Sequence, residues 1–560
     1  MAKSQDEFVF LPLGGSGEIG MNLNLFGFGP AHDRKWVIVD IGVTFGDLTT
    51  PGVEIIMPDI SFIQEYRDNL LGIVLTHAHE DHMGALGRLW PLLQCPVYAT
   101  PFTMYLVKDR LAEFDLLDAV ELHEMPLKSS FSLGPFTFEY ITMTHSIPEP
   151  NGLVITTDLG TVFHTGDWKI DNDPQIGEAT DHKRLTELRD EGVLAMICDS
   201  TNVFSPGFAG SEANVRAELA TLIGEYAGRG VAVASFASNV ARLESIMLAA
   251  KDNERSICLI GRSMRRMTGA AKSVGLLGGV GHFLDEEEAQ QMPAGHVLYL
   301  CTGSQGEPRA ALSRIAAGEH RSVKFGQGDV VIFSSKVIPG NEKSIYRLQN
   351  ALADDGVDIV TEKDRPIHVS GHPKQAELKQ MYEWVRPQIA IPVHGERRHI
   401  LLHAELALGW GAKASHPPKN GEMIRLAPKG PDIVDIVPSG RLYQDGTVIV
   451  SAQDDGIRLR RKMAYAGHVS VSLVVNSKGH IVSGPEPRIS GFPEGRGGKY
   501  ADGLYDGIAD TAEDAFDTLS RRDRIDEDKI EEKLRSKVKR YIRETTDKRA
   551  VVNVIAHKIK

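Results

Sequence analysis

Cysteine is scarce: Cys95, Cys198, Cys258 and Cys301 are scattered with no CxxC pair. That argues against a disulfide framework and a Cys-rich zinc site, and fits a reducing compartment. Long apolar runs are missing too. No stretch reaches the roughly 18 residues of a membrane-spanning helix. The N-terminal MAKSQDEFVFLPLGG lacks a secretory apolar core. A cytoplasmic chain with no membrane partner is expected. Basic charge is in deficit, with 62 Lys and Arg against 75 Asp and Glu, a net −13. A whole-molecule basic field for nucleic acid is therefore absent, although a local basic groove stays compatible with this balance. No fixed-period repeat occurs, which argues against a solenoid.

What is present is ordinary globular composition, 42% apolar and 24% charged over 560 residues. At roughly 100–200 residues per domain this suggests three or four domains. The first 200 residues read as short apolar strands (FVFLPL, KWVIVDIG, GIVLTHA) ended by Gly, Asp or His. FSLGPFTFEYITM alternates around a Gly-Pro turn and reads as a hairpin. From about 210 to 366, helices such as EANVRAELATLIGEYAGRG alternate with VAVASFA, SICLIG, HVLYLCTG and DVVIFSS. That is a βαβ pattern with a mainly parallel sheet. Residues 367–430 again show loops ending in His and Gly, like the first 200 residues, as if an α/β domain were inserted in another. The expected division is 1–208 and 367–430 for the host domain and 209–366 for the insertion. A linker at 431–449 and a C-terminal domain at 450–560 complete it. The C-terminal block carries Lys533, Arg535, Lys537, Lys539, Arg540 and Arg543 without an intervening acid. A solvated helix face is the simpler reading, and an RNA or oligomer contact the sharper one.

One motif misleads. GSGEIG, from Gly15 to Gly20, fits GxGxxG, and Asp40 even sits where a ribose-binding acid would be expected. A dinucleotide fingerprint must open a helix. Here MNLNLFGF follows, which alternates like a strand, so a tight strand-to-strand loop is the better account.

Residues 76–82 read Thr-His-Ala-His-Glu-Asp-His, directly after an apolar strand. Imidazole and carboxylate are the donors that zinc and its neighbours accept. His77 and His79 can face one metal, and Asp81 and His82 a second. His145, Asp167 and His394 each end an apolar strand further on. The economical assignment places His77, His79 and His145 on one metal and Asp81, His82 and His394 on the other, with Asp167 bridging. Asp40 would orient a ligand His from behind.

His-x-His-x-Asp-His with distal His, Asp and His resembles the metallo-β-lactamase superfamily. The fold implied is an α/β class, an αββα sandwich with metals at one rim. His145 follows His82 by 63 residues, Asp167 follows by 22 more, and 227 then separate Asp167 from His394. The parallel α/β block in that last gap resembles the β-CASP insertion. CDSTN with Asp199, followed by Glu212, resembles its acidic motif; HVSGH resembles the second motif and PVHGE the third. His394 resembles the RNA-processing branch more than the DNA-repair branch. PLGGSGEIGMN, THAHEDHMGAL, THSIPE, GDWKID, FASNVARL, GSQGEP, SSKVIPGNE and HVSGHPKQAEL together are similar to the bacterial ribonuclease J family. A small α/β C-terminal domain is part of that resemblance.

The resemblance implies a ribonuclease that hydrolyses single-stranded RNA with two divalent metals. Zinc is the first expectation, with manganese or magnesium as alternatives. It implies 5′-to-3′ exonuclease action on 5′-monophosphate ends, with endonuclease action possible. Asp81, His372 and Glu212 are the expected catalytic groups, His372 as proton donor and Glu212 as the acid orienting it. Expected substrate contacts are His368, Ser370, Gly371 and His372, with Phe236 and Asn239 as further candidates. A core role for Phe236 is an equal alternative. Expected partners are a second copy or four copies joined through the C-terminal domain, and other RNA-decay proteins.

Overall fold

Alternation of side chains decides how the host domain is layered. In Phe136–Thr142, Phe136, Phe138 and Tyr140 point one way and Ile141 the other. In Ala195–Asp199, Ala195 and Ile197 face the first cluster while Met196 and Cys198 face the second. Strands buried on both faces need a layer on each side. The computed structural model, which describes residues 5–494 and 499–560, supplies both layers.

The inner partner is a second sheet. One sheet has eight strands, in the order Asp432–Ile436, Glu422–Ala427, Glu7–Gly14, Leu23–Gly29, Lys35–Val39, Leu70–Val74, Val97–Ala99 and Leu122–Glu124. The other has seven: Ser130–Leu133, Phe136–Thr142, Asn151–Thr157, Gly160–His164, Ala195–Asp199, Ile389–Val393 and Ala414–Ser415. Phe8, Phe10 and Phe26 meet Phe136, Phe138, Leu153 and Ile155 between them, with Phe8 and Phe136 ring centroids 6.3 Å apart. Outside the seven-stranded sheet lie helices His182–Glu191, Gln375–Val385 and Arg397–Gly409, which bury Leu185, Leu378, Tyr382 and Ala407. On the other sheet, Trp36 packs edge-on against Phe62 of helix Ser61–Glu65. Helices Leu86–Leu93 and Pro101–Ala112 bury Leu86, Leu89, Leu93, Phe102, Met104 and Leu111 in the same domain. This is the expected αββα sandwich.

Between strands Ala195–Asp199 and Ile389–Val393 the chain builds a five-stranded, wholly parallel sheet. Its order is Ser256–Ile260, Val297–Cys301, Val231–Ala234, Val330–Phe333 and Asp358–Val360. Val231 and Val233 pack with helices Glu212–Glu225 and Val240–Asp252 on one face. Ala232, Ala234 and Phe333 pack with Ala311–Ala316 and Glu342–Asp354 on the other. The predicted helix–strand alternation produced this doubly covered sheet.

The chain divides into two units: residues up to Thr44 with Met57–Arg441, and Phe45–Ile56 with Leu442–Lys560. In the second unit, strands Ile481–Ser490, His468–Val475 and Val551–Lys558 form a sheet under helices Lys499–Asp517 and Glu527–Thr546. Ile530, Leu534, Val538 and Ile542 recur every fourth residue and are buried against it. Arg535, Lys537, Lys539, Arg540 and Arg543 consequently face solvent, and Arg540 pairs with Glu544 at 2.8 Å.

Two expected boundaries need correction. Residues 431–449, read as a linker, contain strand Asp432–Ile436 and most of the hairpin Arg441–Asp445 with Val448–Ser451. Pro431, Pro438 and Gly440 punctuate short strands rather than a continuous connection. Residues 45–56, assigned to the host domain, group with the C-terminal unit, because Ile55–Pro58 lies beside Arg441–Asp445 in a four-stranded sheet.

Candidate metal centre

Parallel strands carry their C-terminal ends to one rim. Lys35–Val39 and Leu70–Val74 run parallel and end at Asp40 and at Thr76–His82. Gly160–His164, Ala195–Asp199 and Ile389–Val393 are also mutually parallel and end at Asp167, Asp199 and His394. Short helix Glu80–Met83 turns His82 back toward His77, whose ring centroid is 4.0 Å away. Asp40 and His394 hold left-handed backbone, with φ of 64° and 49°. Such conformations persist only where the surroundings over-determine them.

The seven predicted ligands converge. His77 Nε2 and His145 Nε2 each lie 3.1 Å from His79 Nδ1. Asp167 Oδ2 is 4.0 Å from His77 Nε2 and 3.8 Å from His145 Nε2. The same oxygen is 3.1 Å from His82 Nε2, so it faces both groups. Asp81 Oδ2 completes the second group, 3.7 Å from His82 Nε2 and 3.8 Å from His394 Nε2. Nitrogens bound tetrahedrally to one zinc at 2.0–2.1 Å stand about 3.3 Å apart, so these separations suit a shared cation.

Hydrogen bonding decides which nitrogen of each ring is free. His145 Nδ1 is 2.6 Å from the Gly371 carbonyl, which only accepts, so Nδ1 carries the proton. His82 Nδ1 likewise donates to the Asp40 carboxylate at 2.8 Å. Thr76 Oγ1 gives its hydrogen to Asp40 at 2.8 Å and can accept from His77 Nδ1 at 2.9 Å. Asn22 Nδ2 donates to the Asp81 carbonyl at 3.1 Å, which turns its Oδ1 toward His394 Nδ1 at 3.0 Å. His79 Nε2 meets Ser238 Oγ at 3.1 Å, a hydroxyl that can accept. Each of the five imidazoles therefore turns one nitrogen inward, that of His82 lying 3.1 Å from Asn22 Nδ2. Burial, aided by neighbouring imidazoles, holds His77 and His145 well below the ordinary imidazole range. Burial takes His79 to about 4. Converging unprotonated nitrogens repel unless a cation lies among them, so this donor set fits divalent metal.

The charged surroundings differ by position. Burial opposes the His82 cation, but Asp167, Asp81 and Asp40 outweigh it and raise the pKa well above the usual value. Burial also opposes charge on Asp167, yet His394 and His82 keep its carboxyl well below the usual range. At His372, burial is outweighed by Asp199, whose Oδ2 lies 2.8 Å from Nδ1; the pKa rises to about 9.

Other predicted residues have different surroundings from those expected. Glu212 does not meet His372. Its carboxylate binds Arg242 Nη2 and Nε at 2.8 and 2.9 Å, and Asn239 Nδ2 at 3.2 Å. The nearer, strand-end Asp199 orients His372 instead. Asn239 is committed on both sides, since its Oδ1 also caps helix Val240–Asp252 through Arg242 N. Phe236 is half-buried on the same loop as Ser238. His368 Nδ1 is buried without a protein partner, and burial, followed by Arg242, lowers its pKa to about 3. Ser370 Oγ accepts from Asn202 Nδ2 at 2.8 Å and His372 N at 3.2 Å, leaving its own hydrogen to donate. A Cβ on Gly371 would lie 2.6 Å from Ser146 Oγ and 2.8 Å from His145 Cε1. Asn22, Thr76, Ser238 and the His372-orienting role of Asp199 escaped the sequence reading. Thr76, adjoining His77 after an apolar strand, had the clearest local signal.

Comparison with known proteins agrees with this geometry. A model described as a beta-lactamase superfamily domain matches residues 48–186, and one for the ribonuclease J beta-CASP domain matches 228–352. A Zn-dependent metallo-hydrolase RNA specificity domain matches 356–416, and a ribonuclease J C-terminal domain 456–559. Ribonuclease J of Sinorhizobium meliloti is 45% identical over 99% of this chain and 98% of its own. That of Mycolicibacterium smegmatis is 37% identical over 95% and 94%. A solved structure of a protein of unknown function from Enterococcus faecalis shares the fold, with TM-score 0.52 and 15% identity over 75% of this chain and 100% of that one. The sandwich, its inserted parallel domain and the His/Asp donor set define a metal-dependent hydrolase of the metallo-β-lactamase class. The chain belongs to the ribonuclease J family and is a metal-dependent ribonuclease. Among the described residues no helix is long and apolar enough to cross a membrane.

Proposed function

We propose that this ribonuclease degrades single-stranded RNA from 5′-monophosphate ends in the 5′-to-3′ direction, with endonucleolytic cleavage as a secondary mode. The observation that carries the reading is the loop His368–His372, which brings the His372 ring within 5.0 Å of His145 and 5.4 Å of His394 and leaves Ser370 a hydroxyl hydrogen to donate. His77, His79 and His145 would hold one divalent cation and Asp81, His82 and His394 another, with Asp167 between them. Two cations, zinc in our reading, would supply Lewis acidity and lower the pKa of water held there. Asp81, with 31% of its side chain exposed, accepts a proton. His372, kept protonated by Asp199, donates to the leaving 3′-oxygen. Ser370 donates its hydroxyl to a phosphate oxygen, and His368 contributes the edge of its ring opposite the buried Nδ1. A soluble cytoplasmic setting and association of two or four copies through residues 450–560 belong to the same proposal.

The test is cleavage of labelled RNA bearing a 5′-monophosphate or a 5′-triphosphate, with a chelator, His82→Ala and single-stranded DNA as controls. Mononucleotide release from monophosphorylated RNA, abolished by chelator and substitution, is expected. Equal internal cutting of both RNAs would remove the end preference from the proposal.

A further inference from the structure

One fully buried guanidinium ties the inserted domain to the loop that carries His372. Arg242, on helix Val240–Asp252, has no exposed surface, and Glu212 is 3% exposed. Their bidentate pair leaves Arg242 Nη1 to donate to the Ser334 carbonyl at 3.0 Å, Ser334 Oγ at 2.9 Å and the Ile367 carbonyl at 3.2 Å. Ser334 Oγ donates to the same Ile367 carbonyl at 2.7 Å. Two donors thus converge on the residue just before His368.

From that anchored point the loop meets the centre in quick succession. Ser370 is held by Asn202, the Gly371 carbonyl accepts from His145 Nδ1, and His372 pairs with Asp199. Stability is a poor reason for this arrangement, since exchanging a buried ion pair for apolar groups of similar volume is often neutral or better. A guanidinium does what no apolar side chain can: it binds a carboxylate on one edge and a carbonyl on the other.

We propose that Arg242 is a positioning residue for RNA cleavage, with Glu212 as its buried counter-ion. It anchors the Ile367 carbonyl and thereby sets the loop presenting His368, Ser370, Gly371 and His372 to substrate. The inference rests on the ribonuclease reading and assigns Glu212 a role one layer behind the reacting groups. Asn239 shares it by steering the Glu212 carboxylate.

The experiment compares full-length wild type with Glu212→Gln/Arg242→Met, Arg242→Met, Arg242→Lys and Ser334→Ala. Four readouts are taken: RNA cleavage rate, bound metal per chain, melting temperature, and hydrogen exchange of the 367–372 amides. The double variant removes both charges together, so it should melt close to wild type and bind equal metal. Its cleavage rate should fall roughly 10- to 100-fold, the scale of a misplacement near 1 Å, while the loop amides exchange faster. Arg242→Lys keeps one charged donor and should recover part of the rate lost in Arg242→Met. Should the double variant not fold, Ser334→Ala decides, because it deletes one donor to Ile367 without exposing a buried charge. It should be about 3-fold slower, with unchanged melting. A folded double variant or a Ser334→Ala protein with wild-type rate and loop exchange overturns the proposal. So does a rate loss that only follows lost metal. Wild type that cleaves no RNA counts against the substrate reading instead, and the exchange data then decide the anchor alone.

Discussion

Asp40→Asn tests the second layer of the metal centre without disturbing its backbone. Asp40 has φ of 64°, a conformation that Asn tolerates as readily as Asp. Its carboxylate accepts from Thr76 N at 2.8 Å, Thr76 Oγ1 at 2.8 and 3.1 Å, and His82 Nδ1 at 2.8 Å. An amide has one accepting oxygen, so its NH2 must face either Thr76 or His82. Facing His82, it drives the ring proton to Nε2 and blocks the lone pair. Facing Thr76, it sets a donor against the Thr76 N–H, 2.8 Å from Oδ1, while Oδ2 keeps both the Thr76 hydroxyl and His82 Nδ1. The first orientation reverses the His82 tautomer, and the second opposes two donors at the backbone next to His77. Outer partners of this kind are worth about 10–100-fold in metal affinity, or roughly 1.4–2.7 kcal/mol. Elemental analysis after dialysis against graded chelator, with cleavage rates at saturating metal, measures both effects. Retention of wild-type metal affinity by a folded Asp40→Asn protein would refute the argument that Asp40 fixes the ligand tautomers.

Three further outcomes are expected. Asp199→Asn should retain metal but lose on the order of 10²–10⁴ in rate. Activity that needs protonated His372 is present below its pKa of about 9 and is lost above it, so the alkaline limb should move to lower pH when Asp199 is neutralised; an unmoved limb would exclude His372 as the acid. Gly371→Ala should displace His145, because the new Cβ falls 2.8–2.9 Å from its ring; unchanged metal content and rate would contradict this. Glu212 should contribute to acid sensitivity. Burial opposes its charge, but Arg242 outweighs burial and lowers the pKa. The stabilisation is therefore present above the unfolded value near 4.5 and lost as pH falls through the folded value. Glu212→Gln should flatten the acid limb of stability in denaturant titrations, and an unchanged slope would argue otherwise.

Much of this protein is local in origin. Residues 76–82 place five donor-bearing or supporting side chains at the end of one strand, so their common destination is readable from spacing. Strand ends at His145, Asp167 and His394 are equally visible, because apolar runs ending in a polar ligand mark a rim. The Gly-rich segment from Gly15 opens onto strand Leu23–Gly29 and not a helix, as the alternation of MNLNLFGF suggests. In the structure Gly15 has φ of 82°, and a Cβ there would stand 2.3 Å from Asn22 Oδ1.

Pairings across long sequence distances had no local signal. Asp199 and Glu212 are both acids near the start of the insertion, and composition cannot tell which one reaches His372, 173 residues beyond Asp199. Tertiary packing decides it: helix Val240–Asp252 brings Arg242 onto Glu212 and removes that carboxylate from the centre. Asn22 likewise meets His394 across 372 residues. The grouping of residues 45–56 with the C-terminal unit follows the same logic, because strand pairing depends on which edge is open in space. Donor types and their periodic placement are properties of the chain. Which donor faces which acceptor, and hence which lone pair is free, belongs to the folded arrangement, where a shift of about 1 Å is enough to break a hydrogen bond.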